Sequence, residues 1–168
     1  EGGMGRCMYY SSVLKLDLGM FYKRRDYSRI ENGKNPIVAH EYLGRDVKDK
    51  DVIIVDDMIS SGESMIDVAT KLKKQGAKRI FVFATFGLFV NGLEVFDDAY
   101  EEHIIDKIFT TNLNYKHPGL ESREWYYEVD MSKYVSLLIN TLNHDDTISH
   151  LLDPVIKIQN LVAKLGNN

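Results

Sequence analysis

The sequence has little of several residue types, and each shortage excludes a class of protein. A single cysteine, Cys7, excludes a disulfide within the chain, and no cysteine and histidine cluster has the spacing of a zinc site. No apolar run approaches the ~18 residues that a membrane-spanning helix needs, and no stretch reads as a signal peptide. A net charge of -4 argues against a broad nucleic-acid-binding face. We therefore expect a cytoplasmic protein with no membrane and no nucleic acid among its partners.

The length and the first residue set expectations about domains. The chain has 168 residues, which is one domain's worth of sequence and enough to bury a sizeable core. Its hydrophobic share of 44% and charged share of 27% are ordinary for a globular protein. It starts at Glu1 rather than at a methionine, and its first residues already read as the inside of a domain. We expect a single domain that something precedes in the native gene product.

The most informative stretch runs from Asp51 to Ser64. The β-branched run Val52 to Val55 predicts a strand buried on both faces, and Asp56 and Asp57 stand where that strand is predicted to end. A small polar loop follows, and then a helical pattern begins at about Ser64. The loop residues are Ser60, Ser61, Gly62, Glu63 and Ser64. A strand, a polar loop and a helix N-terminus together predict an anion site, because loop N–H groups and the helix dipole converge there.

Two interpretations of this stretch remain open from the residues alone. Asp56 and Asp57 can accept hydrogen bonds from sugar hydroxyls, directly or through a metal ion, while the loop cradles a phosphate. The structural alternative is that the acids merely end a strand and that Ser61 or Ser64 caps an ordinary helix. The length of the pattern favours the binding site.

The remaining elements alternate between strands and helices, which predicts a mostly parallel sheet flanked by helices with a right-handed crossover. The predicted strands are Leu18 to Tyr22, Ile37 to Leu43, Arg79 to Thr85, Lys107 to Thr111 and Glu124 to Val129. The predicted helices are Arg6 to Leu16, Ser64 to Gln75, Gly92 to Tyr100, Met131 to Leu142 and Pro154 to Leu165. The basic triplet from Lys23 to Arg25 is predicted to follow its strand as a loop, either simply solvated or a mobile phosphate-binding lid. Turn signals at Asn32-Gly33 and Asn35-Pro36 are consistent with a hairpin or a lid.

Four motifs together resemble a known family. They are the basic triplet after a strand, the Asp-Asp loop, the Ala-Thr-Phe-Gly-Leu-Phe stretch from Ala84 to Phe89, and the Thr-Thr-Asn strand end at Thr110 to Asn112. From Glu1 to about Pro154 the chain resembles the C-terminal half of the ribose-phosphate diphosphokinases, which are type I phosphoribosyltransferase-like proteins. The resemblance implies a three-layer α/β fold and a similar N-terminal domain in the parent protein. It also implies assembly into a homo-oligomer, either a dimer or a hexamer.

The resemblance further implies an activity and a set of site residues. The family transfers diphosphate from ATP to the 1-hydroxyl of ribose 5-phosphate with Mg²⁺, giving phosphoribosyl diphosphate for nucleotide biosynthesis. Lys23 and Arg25 match its catalytic-loop cations, and Asp56 and Asp57 match its ribose-binding acids, with a possible indirect role in holding the metal. Ser60, Ser61, Gly62, Glu63 and Ser64 match its 5-phosphate loop. The family's other half supplies a metal-binding histidine and a loop that reaches ATP, so this chain alone is expected to be inactive.

Three positions depart from the family pattern. Ser60 and Glu63 replace an acid and a glycine in the loop, and Phe86 stands where a histidine is frequent. Glu63 brings negative charge near a phosphate unless its side chain points away. Two rival functions therefore stay open. One is a phosphoribosyltransferase that attaches a base, with Glu124 to Val129 as its candidate base-binding strand, and the other is a non-catalytic regulatory relative.

Overall fold

The structure is a computed structural model that describes residues 3–25 and 37–165. It divides into two compact units, Glu1–Asp46 and Val47–Asn168. Within the described residues, no helix is both long enough and apolar enough to cross a membrane.

The first unit contains one helix and a two-stranded antiparallel ribbon. Helix α1 spans Met4–Leu14, strand β1 spans Met20–Arg25 and strand β2 spans Ile37–Leu43. The prediction that the basic triplet follows β1 as a loop is wrong, because the strand continues through it and Lys23 pairs with His40. Backbone pairing with β2 satisfies the N–H and C=O groups of β1, and this pairing rather than the residue type sets where the strand ends. The predicted turn at residues 32–36 lies outside the described residues.

The second unit is built on a four-stranded parallel sheet in the order β3-β4-β5-β6. Its strands are β3 (Asp51–Ile59), β4 (Arg79–Gly87), β5 (Lys107–Thr111) and β6 (Tyr126–Val129). Its helices are α2 (Glu63–Lys74), α3 (Glu94–Glu101), α4 (Ser132–Asn143), α5 (Ser149–Leu152) and α6 (Val155–Leu165), with a short 3₁₀ turn at Leu120–Ser122. Strand pairing is parallel throughout this sheet. The predicted α/β fold, a mostly parallel sheet flanked by helices, is confirmed.

The core of this unit lies on one face of the sheet. Alternate residues of β4 and β5 are buried, as the period of two in a strand requires. Buried side chains on helices and loops complete this core, most of them apolar. These buried residues include Ile80, Val82, Ala84, Ile108, Thr110, Ala69, Leu72, Phe96, Ala99, Phe89 and Trp125.

The prediction that β3 is buried on both faces is wrong. Ile53 is 42% exposed, and Phe83, on the same face of the neighbouring strand, is 37% exposed. Strand β3 forms one edge of the described sheet, and the face that carries these side chains is incompletely covered. The run of β-branched residues therefore identified a parallel strand correctly but not its environment.

Candidate functional site

The predicted polar loop joins β3 to α2 and leaves the start of that helix without a side-chain cap. Gly62 is the N-cap residue, with φ +86° and ψ -16°, and no side chain forms a capping hydrogen bond. The alternative in which Ser61 or Ser64 caps the helix is therefore wrong. The first-turn N–H groups of a helix lie at the positive end of its dipole and need acceptors. The N–H groups at this helix start can donate hydrogen bonds to the phosphate of a ligand.

Gly62 occupies a position that no other residue fits without strain. Its backbone has a left-handed conformation, and a Cβ built on it would lie 2.2 Å from Cζ of Phe96. The aromatic ring therefore packs directly against the backbone of the loop. Glycine is required here both by its conformation and by this close approach.

Asp56 and Asp57 are separated from the loop by Met58 and Ile59, and they are not where they were predicted. They are within β3 rather than after it, because strand pairing continues to Ile59 opposite Gly87. The Asp57 N–H donates to Oδ1 of Asp56 at 2.8 Å, and the Met58 N–H donates to Oδ1 of Asp57 at 2.9 Å. Both residues are exposed. Each carboxylate is thus oriented by the next backbone amide and remains accessible to hydroxyl donors or a cation.

The loop residues differ in exposure. Ser60, Glu63 and Ser64 are exposed, whereas Ser61 is partly buried and Gly62 is buried. Glu63 is in the first turn of α2, where a negative charge stabilises the helix dipole. Because its side chain is at the surface, it can extend into solvent rather than into the loop.

A second loop, missed as part of the site by the sequence analysis, holds the first in place. The Leu88 and Phe89 amides donate to the carbonyl of Ile59 at 2.9 and 3.4 Å, and the Val90 amide donates to the carbonyl of Ser60 at 3.1 Å. Phe89 is 1% exposed and has a left-handed backbone with φ +47°. Phe89 is the last residue of the Ala-Thr-Phe-Gly-Leu-Phe motif, but the sequence did not predict that it supports the loop.

The Thr-Thr-Asn strand end of β5 lies at the carboxyl edge of the parallel sheet, and its side chains form hydrogen bonds within the fold. The Thr111 hydroxyl donates to the carbonyl of Thr85 at 2.6 Å, and the Asn112 amide donates to Oδ1 of Asp130 at 2.8 Å. Asp130 also accepts a bond from the Ser132 amide at 2.9 Å. Hydrogen bonds from Ser132, and next from Asn112, lower the pKa of Asp130. These groups anchor the start of α4.

Lys23 and Arg25 belong to the first unit, and their side chains lie outside the described residues. Their assignment as catalytic cations stays a prediction. Asp56, Asp57 and residues 60–64, in contrast, all lie in one continuous strand, loop and helix.

The donor set in the described residues suits only a particular kind of metal. No group of three or more histidine, cysteine, aspartate or glutamate side chains there could hold a metal ion. Asp56 and Asp57 each offer hard oxygen ligands, on opposite faces of β3 because neighbouring residues of a strand alternate in direction. Mg²⁺ commonly binds through one or two carboxylates and takes its other ligands from phosphates and water, so either carboxylate fits that ion.

The fold and the loop define an α/β protein with a candidate anion-binding loop at the carboxyl end of a parallel strand. Residues 1–122 match the family model of the phosphoribosyl transferase domain. The chain belongs to this family.

Within this family, the chain is similar to enzymes named ribose-phosphate pyrophosphokinase. The chain is 38% identical over 112 residues to the ribose-phosphate pyrophosphokinase of Mycoplasma genitalium, covering 66% of this chain and 32% of that protein. It is 41% identical over 92 residues to the enzyme of the same name from Thermococcus kodakarensis, covering 55% of this chain and 30% of that protein. The predicted resemblance to this enzyme class is confirmed. The chain spans about a third of the length of these relatives.

A solved structure supports the fold. The phosphoribosylpyrophosphate synthetase from Mycobacterium smegmatis superposes with a TM-score of 0.64 at 20% identity, covering 84% of this chain and 43% of that one. At this identity the match establishes the shared fold.

Proposed function

We propose that this chain is the ribose 5-phosphate-binding portion of a ribose-phosphate pyrophosphokinase. The observation that carries the proposal is the uncapped start of α2 at Gly62, which follows the carboxylates of Asp56 and Asp57 in the same strand, loop and helix. A phosphate needs donors and a sugar needs acceptors, and the two sets stand next to each other in the chain. The names of the relatives support this choice of substrate.

In the proposed complex, the 5-phosphate accepts hydrogen bonds from the loop at residues 60–64. The ribose hydroxyls donate to Asp56 and Asp57, whose carboxylates are already oriented by the following amides. Holding the sugar at both ends fixes the position of its 1-hydroxyl, which lowers the entropic part of the barrier to transfer.

The proposed reaction uses ATP as the second substrate. The 1-hydroxyl oxygen loses its proton to water and bonds to the β-phosphorus of ATP, the bond from that phosphorus to the oxygen shared with the α-phosphate breaks, and AMP leaves. Mg²⁺ held through Asp56 or Asp57 would supply neutralisation of phosphate charge. Lys23 and Arg25 are proposed to stabilise the charge on the transferring diphosphate.

Wider features follow from the same proposal. The product, phosphoribosyl diphosphate, would serve nucleotide biosynthesis in the cytoplasm, and the parent protein would be a homo-oligomer, either a dimer or a hexamer. The candidate base-binding strand of the rival phosphoribosyltransferase has two different aromatic residues: Trp125 is 1% exposed in the core, whereas Tyr127 of β6 is 54% exposed. This strand therefore does not decide between the two assignments, and the names of the relatives favour the pyrophosphokinase.

The test is calorimetric titration of the 168-residue chain with ribose 5-phosphate and Mg²⁺, beside a variant carrying Asp56→Asn and Asp57→Asn. We expect saturable binding by the unmodified chain and loss of binding in the variant. A matched control carries Asp145→Asn and Asp146→Asn, an exposed adjacent pair between α4 and α5. Equal binding by all three proteins would refute the assignment of the carboxylates.

A parallel titration with ribose, which lacks the phosphate, examines the loop separately. We expect ribose to bind far more weakly than ribose 5-phosphate. Comparable binding of both sugars would show that the loop at residues 60–64 does not hold the phosphate.

A further inference from the structure

A single aromatic ring lies under the candidate phosphate loop. Phe96, on α3, is 0% exposed, and its Cζ atom occupies the space that any side chain at position 62 would need. The N-cap glycine is therefore in direct contact with this ring. A shift of the ring would move or release the residue from which α2 starts.

The ring is confined by other aromatic side chains. Phe89 packs against it with ring centroids 5.0 Å apart and planes at 82°, and Trp125 stacks on it at 5.6 Å. The Trp125 indole is itself fixed, because its Nε1 donates to Oδ1 of Asp97 at 2.7 Å. Buried aromatic groups packed in this way have little freedom to move.

Phe89 connects this cluster to the other end of the loop. Its own amide and that of Leu88 donate to the carbonyl of Ile59, the last residue of β3. The loop from residue 60 to residue 62 is therefore held at its start by hydrogen bonds and at its end by Phe96. Phe89 takes part in both supports, because its amide bonds to Ile59 and its ring packs on Phe96.

We propose that Phe89 and Phe96 are positioning residues for phosphate binding. They set the backbone of Gly62, and through it the direction of the first N–H groups of α2, without touching the ligand. This inference rests on the proposed function, because it assumes that the loop binds the 5-phosphate of a sugar.

A purely structural role and a positioning role make different predictions for Phe96→Leu. If the ring only fills the core, the variant loses stability but its folded form binds phosphate as before. If the ring positions Gly62, the folded variant binds more weakly. Misaligning one N–H donor to a charged oxygen should weaken ribose 5-phosphate binding about tenfold, or ~1.4 kcal/mol.

The experiment is titration of the ¹⁵N-labelled 168-residue chain with ribose 5-phosphate, followed by NMR at a temperature where every variant is folded. Phe96→Leu and Phe89→Leu are compared with Phe83→Leu as the matched control. Phe83 also stacks on another aromatic residue, Phe109, at 4.4 Å, but on the opposite, partly exposed face of the sheet. We expect weaker binding in the first two variants and unchanged binding in the control.

A spectroscopic signature reports the contact itself. A ring against Gly62 shifts the resonances of its α-protons through the ring current, and we expect that shift to collapse in Phe96→Leu. Phe96→Tyr serves if the leucine variant does not fold, because its hydroxyl would project from Cζ into the backbone of Gly62 and weaken binding.

The possible outcomes separate the two proposals. Normal affinity in folded variants of both Phe89 and Phe96 overturns the positioning role and leaves the proposed function intact. Absence of ribose 5-phosphate binding by the unmodified chain overturns the proposed function and this inference with it.

Discussion

Gly62→Ala is the substitution that examines the loop most directly. Alanine in a left-handed conformation costs roughly 1–2 kcal/mol. The new methyl group would also lie 2.2 Å from Cζ and 2.6 Å from Cε1 of Phe96, a ring that the surrounding core prevents from retreating. Overpacking of this kind costs about 1–3 kcal/mol. We expect a total loss of about 2–5 kcal/mol in the free energy of unfolding, a large part of the ~5–15 kcal/mol typical of a domain.

The assay is urea unfolding followed by the fluorescence of Trp125, the one tryptophan of the chain, which is buried beside Phe96. The matched control is Gly119→Ala. Gly119 has the same φ of +86°, but the nearest atom to its added Cβ is Nη1 of Arg123, at 3.0 Å, in a partly exposed guanidinium rather than a buried ring. The control therefore has the backbone strain of Gly62→Ala without the clash in the core.

The double variant Gly62→Ala with Phe96→Leu isolates the clash. Since leucine has no atom at the Cζ position, the two substitutions together should cost about 1 kcal/mol less than their sum. Equal destabilisation by Gly62→Ala and Gly119→Ala, with no coupling in the double variant, would refute the packing of the ring against the loop.

Three further predictions follow from other contacts. A hydrogen bond from Arg123 is the main cause of the lowered pKa of Asp97. The ionised carboxylate therefore stabilises the fold above its unfolded pKa of ~4, and this contribution is lost as the pH falls through the lower folded pKa. The free energy of unfolding should fall less steeply with acid in Asp97→Asn, and an unchanged pH profile would contradict this. Gly87→Ala would place a Cβ 2.5 Å from Cε2 of Phe89. We expect the free energy of unfolding in urea to fall by about 1–3 kcal/mol, and an unchanged value would show that the ring can move. A Cβ at Gly5, in α1, would meet no atom within 4 Å. Gly5→Ala should therefore raise the free energy of opening of that helix by ~0.5 kcal/mol and slow its amide hydrogen exchange about twofold. Faster exchange would show that the position is not helical.

Much of the fold could be predicted from local patterns. Strands β2 and β5 have the bounds that their sequences indicated, and most of the longer helices begin or end within a few residues of prediction. The parallel pairing of β3 and β4 followed from the strand, helix and strand order. Periodicity and glycine placement suffice for such elements because they act within a few residues along the chain.

The errors occurred where the answer depends on distant pairing partners. Strand β1 continues through Lys23 to Arg25 because β2 pairs with it there, and β3 continues past Asp57 because β4 does. The exposure of Ile53 likewise depends on which other elements cover that face of the sheet. A charged residue looks like the end of a strand in a sequence, but pairing decides where the strand stops.

The sequence by itself determined the alternation of strands and helices and the motif from Asp56 to Ser64, because each is encoded by residues that are neighbours in the chain. Only the tertiary structure decided what supports that motif. Phe96 is more than thirty positions from Gly62, yet its ring contacts the glycine, and Phe89 joins the two ends of the loop. Such contacts arise when separate elements pack together, and no local pattern records them.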